Sequence, residues 1–385
     1  MQRLRFKADD GSPFPDWKEK KLGDVCEYRK GQSVGVNYVG TENMNQNFSG
    51  LDSLDSTNEA KGVTYCVGDT LMSNIRPYLK KTWKADRNGV CSTDVLVFHP
   101  VNIDSDFLYC NVSSEKFISY VMTGVKGSKM PRGDKKHIME YDISVPLLPE
   151  QQKIAEFLST IDTVIGKQRA TVSAWEKRKK GVMQKLFCQE VRFKADDGSD
   201  FPDWEEKPFG DVVSEFKVKT KVEDEDMLLS CAINGVFLNT ELFGHQRGQS
   251  NIGYLKIKKG TLILSAQNLH LGNANVNLRF DHGIISPAYK TYDIVGCTAE
   301  YMSQWVKWGM TKQFFYNATT VGASECRRNV DWNMLYSQLF AVPCLAEQQK
   351  IADCLSSLDD VIEKQKATLA AWEELKKGLL QQMFV

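Results

Sequence analysis

The sequence has no net charge: 49 Lys and Arg are balanced by 49 Asp and Glu. This excludes nucleic-acid binding by bulk charge, because domains that bind that way are strongly basic, and passes the question to local clusters. No run of about eighteen apolar residues occurs, so no membrane-spanning helix is expected. The opening MQRLRFKADD lacks the apolar stretch of a secretory signal. The ten cysteines stand singly, with no CxxC pair and no histidine at metal-ligand spacing. They read as reduced, mostly buried thiols of a cytoplasmic protein, and neither a disulfide framework nor a metal site is expected.

Catalytic signatures are missing as well. There is no GxxxxGK followed by Ser or Thr, no Gly-rich strand-to-helix turn of Rossmann type, and no Asn-Pro-Pro-aromatic stretch of the kind that holds an extruded adenine. Asp16 and Asp203 have no carboxylate–lysine partners at nuclease spacing. The histidines at 99, 137, 245, 270 and 282 have no evident Ser or Cys partner, and His99, at a strand end beside Pro100, reads as structural. The chain reads as an adaptor without catalytic machinery and without a cofactor of its own.

What is present is repetition. A chain of 385 residues exceeds one ordinary core, so two domains are expected. RFKADDGSPFPDWKEKKLGDV (5–25) returns as RFKADDGSDFPDWEEKPFGDV (192–212), with 17 of 21 positions identical. A second repeat, LPEQQKIAEFLSTIDTVIGKQRATVSAWEKRKKGVMQKLF (148–187), returns at 345–384 with 24 of 40 identities. A period near 190 residues is too long for a solenoid and points to duplication of a domain with its connector.

Both long repeats read as helices. Ile154, Leu158, Ile161, Ile165, Val172, Trp175, Val182 and Leu186 alternate four and three apart once Gln168 and Lys179 fill the gaps, which is a heptad seam. The second copy repeats it from Ile351 to Met383, with Gln365 and Lys376 in the gaps. Glutamate at each helix start and lysines near each end favour antiparallel pairing. That pairing would set Gln168 against Gln365, where a polar pair fixes register; snorkelling of each glutamine out of the seam is the alternative. Helices of this length span about 55 Å at ~1.5 Å per residue. The expected fold is α+β: two sheet-rich globular domains separated by two long antiparallel helices, a coiled-coil spacer with pseudo-two-fold internal symmetry. The expected segments are a first domain at 1–147, a central helix at 148–187, a second domain at 188–344 and a C-terminal helix at 345–385.

The middles carry short apolar runs broken by Gly, Asn and Asp, which read as strands. FLYCNVSSEKFISYVM and EYMSQWVKWGMTKQFFYN each read as one amphipathic helix. The two middles align in outline only. GDTLMSNIRPYLKK faces GTLILSAQNLHLGN, so that Arg76 faces Asn268 and Tyr78 faces His270. The frame is kept and the tips differ. In the first copy Arg76, Lys80, Lys81, Lys84 and Arg87 against Asp86 give a net +4 in twelve residues, and Lys126, Lys129, Arg132, Lys135 and Lys136 against Asp134 give +4 in eleven. Asn74 and Tyr78 join these candidates. The second copy offers Gln267, Asn268, His270, Asn273 and Asn275, then Arg327, Arg328 and Asn329. Arginine matches guanine's paired acceptors, Asn and Gln match adenine's donor–acceptor edge, and lysine neutralises phosphate, so the tips suit DNA.

FPDW-x-x-K-x-x-GDV, GDTLMSNIRPYL, VPLLPEQQKIAEFLSTID and the closing AVPCLAEQQKIADCLSSLD together resemble the DNA-specificity subunit of type I restriction–modification enzymes, over essentially the whole chain. The resemblance implies two target recognition domains, each reading half of a split, asymmetric DNA sequence. The helices would act as spacer and as docking surface for two methyltransferase subunits, which hold S-adenosylmethionine and methylate adenine. Restriction and motor subunits would join in the full complex. Ala346 in place of Pro149 and Cys354 in place of Phe157 depart between copies at helix entry and packing only. A stand-alone nucleic-acid enzyme and a scaffold that does not touch DNA are the rival readings; the isolated chain is also expected to self-associate.

Overall fold

The computed structural model describes residues 4–52, 54, 57–244, 250–324 and 327–384, with backbone only for 321–324 and 327. His245 and Cys326 lie outside the described residues. The chain forms two compact units, one of residues 1–170 with 366–385, the other of 171–365. The cut falls inside both long helices, Leu148–Phe187 and Leu345–Met383, so each unit keeps half of each helix within its own body. The helix bounds match the periodicity. The helix ends, however, belong to the domain cores and not to a separate connector.

In the first unit a four-stranded antiparallel sheet runs in the order Cys26–Tyr28, Val95–Pro100, Thr70–Ser73, Thr82–Lys84. In the second, the order Val213–Phe216, Tyr289–Ile294, Leu262–Ser265, Ala274–Val276 repeats it. Each unit pairs the strand after its FPDW with the strand before its long helix: Lys18–Lys21 with Asp142–Val145, and Glu205–Pro208 with Leu339–Val342. The segments read as single helices are broken. Ser105–Val112 and Glu115–Thr123 separate where the Ser114 hydroxyl accepts the Phe117 N–H and starts a new helix. Ala299–Trp305 and Gly309–Asn317 separate at Trp308, which caps the second helix without a side-chain hydrogen bond. A Ser/Thr side chain that offers the backbone a cap competes with helix continuation, and the apolar period alone does not register that.

The repeated opening is explained by what it holds. Glu150 is fully buried at the start of the central helix; it accepts from Arg5 Nη2 at 2.9 Å and from Trp17 Nε1 at 3.0 Å. In the second unit Glu347, equally buried, accepts from Arg192 Nη2 at 2.7 Å and from Trp204 Nε1 at 3.0 Å. The next residue is also committed. Gln151 Oε1 accepts the N–H of Asp104, the cap of the Ser105 helix, and its Nε2 donates to the Pro146 carbonyl. Gln348 does the same with Thr298 and Pro343. Lys153 and Lys350 then tie the helix to the carbonyls of Lys7 and Lys194 and to Asp9 and Asp196. A buried carboxylate persists only when paired and hydrogen-bonded, so this clasp demands Arg, Trp and Glu together in each copy.

The seam packs as the heptads require. In the first unit Ile154, Leu158, Ile161 and Ile165 share a core with Met383 and Phe384, and in the second Leu186 packs with Ile351 and Leu355. Within each unit the two half-helices run antiparallel. Asp162 and Arg169 of one meet Lys376 and Glu373 of the other, and Lys179 meets Asp359. The lysines at seam positions, Lys179 and Lys376, are only 13% and 15% exposed at the side chain, each closed by its aspartate at 2.6 Å. Gln168 lies in the first unit and Gln365 in the second, both half-buried at their seam positions.

Candidate nucleic-acid interface

In the first unit the fully buried strand Thr70–Ser73 runs out into a one-turn helix, Pro77–Leu79. In the second, Leu262–Ser265 leads into Leu269–Leu271. Arg76 and Asn268 both stand immediately before the turn, and Tyr78 and His270 both occupy its middle, so the alignment of tips holds residue by residue. The backbones differ. Arg76 (φ 49°, ψ 61°) and Lys80 (φ 56°, ψ 44°) bracket the first turn in the left-handed region, whereas Asn268 has φ −121°. Non-glycine residues take that conformation only when neighbours enforce it. Here Arg76 N donates to the Pro131 carbonyl at 2.8 Å, and Ile75 bridges Arg132. Lys126 and Arg132 exchange two backbone hydrogen bonds at 2.9 Å.

These bonds join the two basic clusters into one surface. Much of its charge is already answered. Lys80 is paired with Glu115 at 2.5 Å, Lys84 with Asp106, Arg87 with Asp86, Lys126 with Asp134 at 2.5 Å, and Arg132 with Asp94 at 3.2 Å. Lys81 donates to the Thr41 carbonyl. Arg76, Lys129, Lys135 and Lys136 are exposed and form no ion pair among the described residues; Tyr78 is exposed beside them. Asn74 is instead interior, 7% exposed, with its Oδ1 buried and unbonded, and presents no edge to a ligand.

In the second unit Gln267, Asn268 and Asn329 are exposed. His270 is half-buried, and burial together with the positive charges of Arg328 and Lys312 holds its pKa below the ordinary value. Arg328 lies 4.1 Å over the Tyr316 ring and donates to Thr319 Oγ1 at 2.7 Å, which fixes its guanidinium. The Arg327 side chain lies outside the described residues. Asn273 and Asn275 are interior, at 6% and 1% exposure, and correct the expectation of tip residues. Asn275 Nδ2 donates to the Ala232 carbonyl at 2.7 Å while its Oδ1 accepts from Lys307 Nζ at 2.6 Å; Asn273 Nδ2 donates to the Cys231 carbonyl. These asparagines tie the Leu229–Leu238 hairpin to the sheet. Neither Lys312 beside His270 nor Asp94 as the counter-charge to Arg132 was signalled by spacing or pattern. Both depend on which helix or loop folds over the turn.

His99 serves local structure. His99 Nδ1 is 2.7 Å from the buried Asp69, which also binds Arg29 at 2.9 Å. Among the described residues no group of three or more His, Cys, Asp or Glu is placed to hold a metal, and no helix is long and apolar enough to cross a membrane. The described cysteines are unpaired. Burial pushes the thiols of Cys26, Cys91 and Cys110 up to about 12, which makes them inert, and Cys188 is exposed.

Comparison with known proteins agrees with this architecture. Residues 15–172 match the type I restriction modification DNA specificity domain. The type I restriction enzyme MjaVIII specificity subunit of Methanocaldococcus jannaschii is 24% identical over 410 residues, which cover 97% of this chain and 94% of that protein. The type I restriction–modification S subunit from M. genitalium superposes with a TM-score of 0.59 at 13% identity, covering 100% and 99% of the two chains. A chain solved in work on complex assembly and conformational transition of a type I R-M system gives 0.58 at 16% identity, over 96% and 98%. Over residues 15–172 the chain is thus similar to the type I restriction modification DNA specificity domain, and over nearly its whole length to a protein named as a type I specificity subunit, with a fold shared by the solved subunits.

Proposed function

We propose that each unit reads one half of an asymmetric, bipartite DNA target, the long helices setting the gap between halves and docking two methyltransferase subunits. The observation that carries this reading is the pair of equivalent turns on equivalent sheets, one tipped with Arg76 and Tyr78, the other with Asn268 and His270. Unlike tips on like frames suit a non-palindromic site. Arg76 suits guanine and Asn268 adenine, while Lys129, Lys135 and Lys136 answer phosphates. Double-stranded DNA and the modification subunits are the partners, with restriction and motor subunits in the full complex. S-adenosylmethionine is held by the methyltransferase, not by this chain, and the assembly works in the cytoplasm. Alone, the chain self-associates through exposed apolar side chains such as Leu148, Leu345 and Leu375, since the seam residues themselves are buried or half-buried. Light scattering with and without the methyltransferase tests that point.

The main test is methylation-site mapping by single-molecule sequencing of DNA from cells carrying this chain and its methyltransferase. Arg76→Gly, which suits the left-handed backbone, and Asn268→Ala are compared with wild type. Each should relax one half of a split adenine-methylated motif, and a different half. A methyltransferase complex that assembles yet yields no split motif would overturn the reading.

A further inference from the structure

The first unit carries an amide-rich stretch, NMNQNFSG (43–50), that its basic clusters overshadow in the sequence. It folds as a tight hairpin. Met44, 1% exposed, anchors it and bridges Leu51, and Asn45 N donates to the Gly50 carbonyl at 2.8 Å. Its tip is bonded directly to the turn that presents Arg76: Asn47 N donates to the Leu79 carbonyl at 3.1 Å and Phe48 N to that of Lys80 at 2.8 Å. Asn47 and Phe48 both lie in the left-handed region, at φ 56° and 58°. Two consecutive such residues, one of them a bulky phenylalanine, cost free energy that only an enforced tip position sustains. The side chains of Gln46 and Asn47 are exposed and have no partner among the described residues. The second unit places a hairpin comparably. Its Cys231 and Ala232 carbonyls are held by Asn273 and Asn275 just after the reading turn, and its tip exposes Ile233 and Asn234.

We propose that Gln46 and Asn47 are base-reading residues of the first unit, forming with the Arg76 turn and the 126–132 loop a three-part reading surface. A carboxamide offers one donor and one acceptor side by side, the match for the N6 and N7 edge of adenine. Backbone bonding to the Arg76 turn holds the amides at fixed register to the arginine, so each addresses its own base pair. The inference rests on the first unit being a DNA half-site reader.

The test maps methylated motifs for wild type, Gln46→Ala, Asn47→Gly and Arg76→Gly, each with the partner methyltransferase. Glycine keeps the positive φ at 47 and 76. Gln46→Ala and Asn47→Gly should each relax a position of the first half-motif, with discrimination falling about tenfold or more. That position should differ from the one relaxed by Arg76→Gly, and the second half should be unchanged. Gln46→Glu keeps the shape but replaces the donor with an acceptor, so its preference should move toward cytosine, whose N4 donates. An unaltered motif in Gln46→Ala, Asn47→Gly and Gln46→Glu, with Arg76→Gly relaxed, overturns this inference and leaves the half-site reading standing. No split motif from the wild-type complex overturns the reading itself.

Discussion

The two units agree where they hold their helices and disagree where they face outward. Arg5, Trp17 and Glu150 in one, and Arg192, Trp204 and Glu347 in the other, make the same bonds to within about 0.2 Å. A few strands away, a left-handed arginine stands where the other unit has an asparagine at φ −121° and ψ 19°. A buried charge leaves no tolerance for change, because each partner lost strands another inside the protein. An exposed tip carries no such constraint. The tips are therefore free to diverge without cost to the fold.

The largest expected effect comes from breaking the shared part. Glu150→Ala or Glu347→Ala leaves a tryptophan N–H and a half-buried guanidinium without their partner, a cost of about 3 kcal/mol in either unit. Denaturant unfolding should find the two losses alike; a loss confined to one copy would end the equivalence. The tips should separate instead. Lys129→Ala should lower the slope of log affinity against log salt by about 0.9, the mark of one phosphate contact, with base preference intact. Asn268→Ala should leave the slope and relax one base, as titrations at several salt concentrations on matched and mismatched DNA would reveal.

Smaller still is the seam. A double-mutant cycle on Lys376 and Asp162 should give a coupling of about 0.5–1 kcal/mol, with Lys179 and Asp359 the same, since both pairs are part-exposed at one end. Last comes a property of one unit only. His270 is held below the ordinary 6.5 by burial and by Arg328 and Lys312, while the first unit's turn, RPYLK, has no histidine. Because the folded value is the lowered one, the unfolded chain takes up the proton first. Stability from this group is therefore present above pH 6.5 and declines as pH falls through the folded value. An NMR titration should find the His270 midpoint below 6.5, and Arg328→Ala should raise it.

The repeats and both long helices, to within two residues, were legible because each follows from a period or a copied string, and strands were expected in both middles without their order. The surface was legible only in part. Asn273 and Asn275 alternate with Ala274 as a half-exposed strand would, yet Ala274–Val276 is covered on both faces, so alternation carried no information about exposure. Asn74 follows a buried strand and stays inside with it. The cation count overstated the free charge, because Glu115 and Asp106 arrive from helices folded over the turn, and a tally by window does not see partners that distant. The clasp was half visible. The copied arginine, tryptophan and glutamate were all in view, but nothing in their spacing said that they meet.

The borrowed helix ends have a consequence for how the molecule is made. The second unit needs only residues 171–365, whereas the first waits for 366–385, whose Met383 and Phe384 fill its core against Phe107 and Ile154. At about 5–20 residues per second, synthesis reaches those side chains many seconds after the first recognition sheet has left the ribosome. The unit that is begun first is thus completed last, and through that interval the apolar face of its half of the central helix awaits a partner helix of the same chain.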